Sequence, residues 1–233
     1  MIIILNNKSN LSKKEFMEYQ EELKKIETDK KLVLCPTYLN INLFNIENIE
    51  LGSQNISAYS DGAYTGEVSG KSLKESNVTY TIIGHSERRK YQKETNKELN
   101  EKIKKAFENN LIPILCIGER KEEREANRVK EIIKKDVIEA IQEIPSENLE
   151  RIIIAYEPIW SIGTGIIPTN EQIEEVNNMI KEILPNNTIV YGGSANEENI
   201  EVLNKCSSIE GYLLGGLSLH PDKLQKFVDK IKM

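Results

Sequence analysis

Short runs of β-branched and aliphatic residues recur about eight times along the 233 residues, each followed by a turn and a segment with helical signals. The runs cover residues 2–5, 32–35, 54–58, 79–83, 112–116, 151–156, 188–191 and 211–214. They lack the polar alternation of half-exposed strands, so they are expected to be covered on both faces, as the strands of a parallel sheet are. The intervening segments supply the covering helices. Ser12 with Glu15 and Thr169 with Gln172 are capping boxes that open helices, the first running to about Ile26. Thr95 to Asn109 reads as a strongly charged helix. The Glu/Lys/Arg run from Lys121 to Lys135 has the composition of a disordered segment, yet Val129, Ile132, Ile133, Val137 and Ile141 recur at helical spacing. It is therefore read as the solvated face of a helix. Eight strand–helix units without a linker or a break in composition fit one α/β domain over 1–233, a closed (β/α)8 barrel of eight parallel strands with outer helices. An open doubly wound sheet is the alternative left by the pattern. No G-x-G-x-x-G follows the first run, which weighs against a dinucleotide-binding version of it.

Composition narrows the partners. The net charge is −6 with acidic and basic residues interspersed, which argues against nucleic-acid or anionic-membrane binding. An anionic ligand would need local donors to hold it against that field. No stretch has the roughly 18 consecutive apolar residues of a membrane span, and Met1 to Leu5 lacks a basic leader region, so a cytoplasmic location is expected. Cys35, Cys116 and Cys206 are odd in number and lie in or near apolar runs, which reads as buried thiols. With two histidines and scattered cysteines, no metal-ligand spacing is present, and no metal site is expected.

In a barrel, the residues that follow the strand ends share one rim. That rim would collect Lys8, His85, Glu157, Gly163, Ser194, Gly215 and Gly216. Glu157 ends an apolar run and is followed by Pro158 and an apolar loop bracketed by Gly163 and Gly165, which suits a loop that closes over something. A carboxylate in a water-poor site can take a proton, a histidine can polarise a carbonyl, and a lysine can stabilise a developing oxyanion. The Gly192-Gly193-Ser194 and Gly215-Gly216 turns can present backbone N–H groups to a phosphate. Taken singly, each feature has an ordinary reading: a proline turn, a structural histidine, a surface lysine, tight glycine turns. His220, beside Pro221, reads as structural or solvated. The coincidence on one rim favours proton abstraction next to a carbonyl on a small phosphorylated molecule.

The motifs Gly84-His85-Ser86-Glu87-Arg88-Arg89, Ala155-Tyr156-Glu157-Pro158-Ile159-Trp160, Ile162-Gly163-Thr164-Gly165, Tyr191-Gly192-Gly193-Ser194 and Leu214-Gly215-Gly216 together resemble the triosephosphate isomerase family, in order and over essentially the whole chain. That family is itself the type example of the (β/α)8 or TIM barrel, and of a glutamate base paired with a neutral histidine under a closing loop. The resemblance implies interconversion of dihydroxyacetone phosphate and D-glyceraldehyde 3-phosphate through an enediolate, as in glycolysis and gluconeogenesis, with no cofactor or metal. It implies that Glu157 is the base, His85 the electrophile, Lys8 and Asn6 substrate-holding residues, and Glu87 a buried acid that positions the lysine. Gly163, Ser194, Gly215 and Gly216 match the phosphate cradle, Ser86 flanks the histidine, and residues 158–168 match a mobile lid. Gly62 to Ser69 matches a loop that enters a neighbouring subunit, with Thr65 near the partner's active site and Glu67 available to Arg88 of the partner, which implies a homodimer. Two places depart from the family pattern: Asn6-Asn7-Lys8 follows Leu5, and the lid ends in Ile166-Ile167-Pro168, where a rigid proline is expected to slow reopening. A paralogous isomerase of a four-carbon sugar phosphate and a non-catalytic sugar-phosphate-binding barrel stand as alternatives.

Overall fold

A computed structural model describes residues 1–231. The strands β1 (Ile2–Asn6), β2 (Lys31–Cys35), β3 (Glu50–Ser53), β4 (Tyr80–Ile83), β5 (Ile112–Ile117), β6 (Ile153–Tyr156), β7 (Ile189–Tyr191) and β8 (Gly211–Leu214) close into a barrel in sequence order. All neighbours are parallel, and β8 returns to β1 with Leu214 beside Leu5. This is the α/β barrel expected from the sequence pattern.

The two-residue period of a strand explains why the apolar runs show no polar alternation. Ile2 and Ile4 point into the barrel with Val33, Cys35, Ile114, Cys116, Ala155 and Val190. Ile3 and Leu5 point outward, into the larger cluster between sheet and helices that also holds Phe16, Leu23, Ile103, Val137, Ile173 and Phe227. Both faces of each strand are thus covered, and every fully buried aliphatic side chain contributes about 1.5–3 kcal/mol of transfer free energy. The three cysteines are free and buried.

Both expected capping boxes are present, on the helices Lys13–Leu23 and Asn170–Lys181. In each, the hydroxyl accepts the N3 backbone N–H while the N3 side chain accepts the cap N–H. The first helix ends at Leu23, short of the expected Ile26. The charged run forms two helices, Lys121–Glu125 and Val129–Ala140, broken where Asn127 adopts φ +55°.

One strand was misplaced by the sequence reading. The third strand is Glu50–Ser53, and the run 54–58 expected there lies after it, on the rim. The strand carries Gly52, whose Cβ would come within 2.5 Å of Cys35 Sγ, so the crowded interior excludes the very side chain that would have marked the strand. Gln54 instead turns its amide onto the carbonyls of Lys8 and Cys35. Among the described residues, no helix is long and apolar enough to cross a membrane.

Candidate active site

The strand ends deliver the rim residues to one pocket of about 400 Å3, lined by Asn6, Lys8, His85, Glu157, Gly163, Ser194, Gly215 and Gly216, together with Gly192, His220 and Lys223. Every pocket-facing position expected on the rim is therefore brought together. Thr65 and Glu67 stand apart, on an exposed loop.

Glu157 follows β6 and is 2% exposed. Its backbone N–H donates to the Ile117 carbonyl at 2.7 Å, which fixes the residue against the end of β5. Its Oε2 accepts the Ser86 N–H at 3.0 Å, and its Oε1 has no hydrogen-bond partner and lies 3.3 Å from His85 Nε2. A buried carboxylate oxygen left unbonded is costly, and a polar group left in that state at a pocket wall is available for chemistry. Two glycines crowd this acid. A Cβ on Gly118 would fall 1.7 Å from the Glu157 carbonyl oxygen, and one on Gly192 would fall 2.9 Å from Glu157 Cγ.

His85 caps the helix Ser86–Tyr91 with its ring. Its Nδ1 accepts the Glu87 N–H at 3.2 Å. A ring nitrogen that accepts a backbone N–H carries no proton, so the geometry matches the neutral tautomer with its hydrogen on Nε2, the nitrogen on the pocket side. Next to it, Glu87 Oε1 holds the Lys8 ammonium at 2.6 Å. The side chain of Glu87 is 44% exposed, so the expectation of a buried acid is corrected: the short helix that carries it sits at the open rim rather than beneath it. Lys8 has φ +53°, a left-handed conformation held by its own N–H donating to Asn6 Oδ1 at 3.0 Å.

At the opposite side of the pocket, the loop after Glu157 meets the turn after β7. The Gly163 N–H donates to Ser194 Oγ at 3.1 Å, and Ser194 Oγ donates to the Ser161 carbonyl at 2.6 Å. Gly163 and Gly165 have φ +72° and +76°, which side chains tolerate poorly. The Ser161 hydroxyl, fully buried, donates to the Ile166 carbonyl at 2.6 Å and so ties one end of the loop to the other. Ile166 is exposed while Ile167 packs on the core and Pro168 is buried. Sequence reading missed Ser161, because nothing local distinguishes it from any loop serine.

It also missed the anchor under Trp160. Glu119, fully buried, accepts from Trp160 Nε1 at 2.9 Å, Arg124 Nε at 2.7 Å and the Tyr156 hydroxyl at 3.2 Å. Burial, with the Glu119 charge beside it, pushes the Tyr156 hydroxyl well above the usual phenol range, so it stays a donor. Burial pushes the Cys116 thiol up as well, and the nearby Glu157 carboxylate adds to that, so Cys116 is a neutral part of the barrel interior beside Glu157 rather than a nucleophile.

Arg88 points to Glu94, at 2.5 Å, and Glu94 also holds the buried ammonium of Lys102. On the exposed loop, Tyr59 and Tyr64 stack with ring centroids 4.2 Å apart. His220 is exposed and precedes the helix Pro221–Lys230, in agreement with the solvated reading, although it borders the pocket. No group of three or more metal-ligating side chains occurs among the described residues.

Comparison with known proteins identifies the relatives of the chain. The family model described as triosephosphate isomerase matches residues 1–231. The chain is 43% identical over 228 residues to the triosephosphate isomerase of Dictyoglomus thermophilum, covering 92% of this chain and 90% of that one. It is 41% identical over 243 residues to that of Clostridium botulinum strain Langeland, with 98% of each covered. It is 44% identical over 201 residues to that of Mycoplasmopsis pulmonis, covering 84% of this chain and 80% of that one.

Proposed function

Because the chain belongs to the triosephosphate isomerase family, it is an aldose–ketose isomerase that interconverts dihydroxyacetone phosphate and D-glyceraldehyde 3-phosphate, and we propose how its own residues divide that work. The substrate phosphate sits on the backbone N–H groups of Gly215 and Gly216, joined by those of Gly163 and Ser194 once these leave Ser194 Oγ and Ser161 Oγ, at the end of the pocket away from His85. This orients the carbonyl toward Lys8 and the His85 Nε2–H. Glu157 Oε1 removes a proton from the carbon beside that carbonyl. As the C–H electrons move into the new C–C double bond, the carbonyl oxygen gains charge, which the neutral imidazole and the Lys8 ammonium stabilise by hydrogen bonding and Coulomb attraction. The same carboxyl then returns the proton to the neighbouring carbon of the enediolate. Asn6 holds Lys8 in its left-handed turn, Glu87 holds its ammonium, and the loop 158–168 excludes water from the charged intermediate.

The observation that carries this reading is the placement of Glu157: a buried carboxylate with one oxygen secured by Ser86 and the other unbonded, beside His85 in the wall of a pocket lined with glycine turns. Neither the four-carbon substrate nor the non-catalytic alternative has an observation in its favour. The test is steady-state turnover of D-glyceraldehyde 3-phosphate in a coupled assay, run beside a four-carbon sugar phosphate. Absence of turnover on the three-carbon substrate refutes the proposal.

We further propose that residues 1–233 act as one catalytic domain, in the cytoplasm, as a homodimer. The exposed loop 61–67 with Thr65 and Glu67, beside the solvent-facing Tyr59 and Tyr64, supports a protein interface there, since stacked exposed aromatics are typical anchors. In that dimer Glu67 meets Arg88 of the partner. A monomeric mass by light scattering at micromolar concentration refutes it.

A further inference from the structure

Ser218 lies where three parts of the barrel meet, and it is completely buried. Its hydroxyl donates to the Asn6 carbonyl at 3.1 Å and accepts from the Asn7 side-chain amide at 3.2 Å. Its carbonyl accepts the Tyr19 hydroxyl from the helix Lys13–Leu23 at 2.7 Å, and its N–H donates to the Gly215 carbonyl at 3.0 Å. One residue therefore joins the exit of β1 to the turn that follows β8.

Those two loops carry different donors of the site. The exit of β1 holds Lys8, and the turn after β8 holds Gly215 and Gly216. The two are already in contact, since a Cβ on Gly215 would come within 3.1 Å of Lys8 Cε. Any slack between the loops would therefore change the separation between the ammonium and the backbone N–H groups.

Asn7 is the second half of the link. It is 1% exposed, and its Oδ1 has no hydrogen-bond partner. A buried amide with an unsatisfied oxygen is unfavourable for stability, and an apolar side chain of similar shape would avoid that cost. What the amide offers in return is the bond from its Nδ2 to Ser218.

We propose that Ser218, with Asn7 as its partner, is a positioning residue that sets the separation of the Lys8 ammonium from the Gly215 and Gly216 N–H groups, and so matches the site to the length of a three-carbon phosphate. It touches no reacting atom. The inference rests on the roles assigned above to Lys8 and to the phosphate-binding turn.

The test uses Ser218→Ala and Asn7→Leu, singly and together, in the full-length enzyme. kcat and KM are measured with D-glyceraldehyde 3-phosphate, and Ki for inorganic phosphate as a competitive inhibitor. Inorganic phosphate needs only the cradle, whereas the substrate needs the cradle and Lys8 at the right separation. Each single substitution is expected to lower kcat/KM about tenfold while leaving the phosphate Ki within about twofold, the size of loss that sub-ångström misplacement of a binding group brings. The double variant is expected to lose no more than the worse single one, because Ser218→Ala already removes the bond to Asn7 along with the one to the Asn6 carbonyl. Wild-type kcat/KM in both single variants, a parallel loss of phosphate affinity, or additive losses overturns the proposal. If Ser218→Ala does not fold, Asn7→Leu decides the same comparison alone. If inorganic phosphate fails to compete in the unsubstituted enzyme, the cradle assignment falls first and this proposal with it, an outcome distinct from a null result in the variants.

Discussion

Gly118→Ala tests whether the backbone around Glu157 is as tightly specified as the packing indicates. The added Cβ would stand 1.7 Å from the Glu157 carbonyl oxygen and 2.5 Å from its carbonyl carbon. Ordinary contact requires about twice the first distance, so the two chain segments must separate by roughly 1.7 Å. Neither can yield easily. The Glu157 N–H is bonded to the Ile117 carbonyl at 2.7 Å, and Ile117 pairs with Tyr156 in the β5–β6 ladder. Moving them costs at least one hydrogen bond of about 1 kcal/mol and overpacking strain of about 1–3 kcal/mol. The displacement also carries the Glu157 carboxylate away from the reacting carbon. A shift of about 1 Å in such a group reduces kcat by about a hundredfold. The measurement pairs thermal unfolding with steady-state kinetics on the folded fraction. We expect a loss of about 2–4 kcal/mol in stability, from the sum of those terms, and a kcat reduced by about two orders of magnitude with KM little changed. A variant with wild-type stability and a kcat within threefold of the wild type would refute the reasoning.

Three further outcomes are expected. Glu157→Gln retains an oxygen to accept the Ser86 N–H but loses the base, so kcat should fall by about three or more orders of magnitude with phosphate-analogue binding intact; a mild loss reassigns the base. Lys102→Met leaves Glu94 buried with only Arg88 to meet its charge, and should cost about 3–5 kcal/mol in denaturant unfolding, largely recovered in the double variant with Glu94→Gln; an effect below about 1 kcal/mol would show that the pair is not desolvated. Burial pushes the hydroxyls of Tyr19 and Tyr191 up to about 12 from an ordinary value of 10.0. A phenol with a raised folded-state value stays protonated when the unfolded chain ionises, so the stability it contributes is complete below pH 10 and lost between about pH 10 and pH 12, at roughly 2–3 kcal/mol per tyrosine. Alkaline unfolding without a fall in stability across that window would count against the burial of both rings.

The chain's own residues determined the barrel, and they did so by local means. Runs of β-branched residues make strands, capping boxes start helices at Ser12 and Thr169, and the alternation of the two admits few topologies. The pocket rim was legible for the same reason: a barrel puts every strand end on one face, so His85, Glu157 and the glycine turns, each recognisable within a few residues, had to meet. The tertiary structure alone decided what depends on side chains from distant parts of the chain. The strand at Glu50–Ser53 was hidden because Cys35, from β2, excludes a side chain at Gly52. Glu119 holds Trp160, in the loop after β6, with help from Arg124 and Tyr156. Ser218 reaches Asn7 across a separation of 211 residues. None of these carries a local signature, because the burial and the partner that give a serine or a glycine its role exist only after the barrel has closed and brought β8 beside β1.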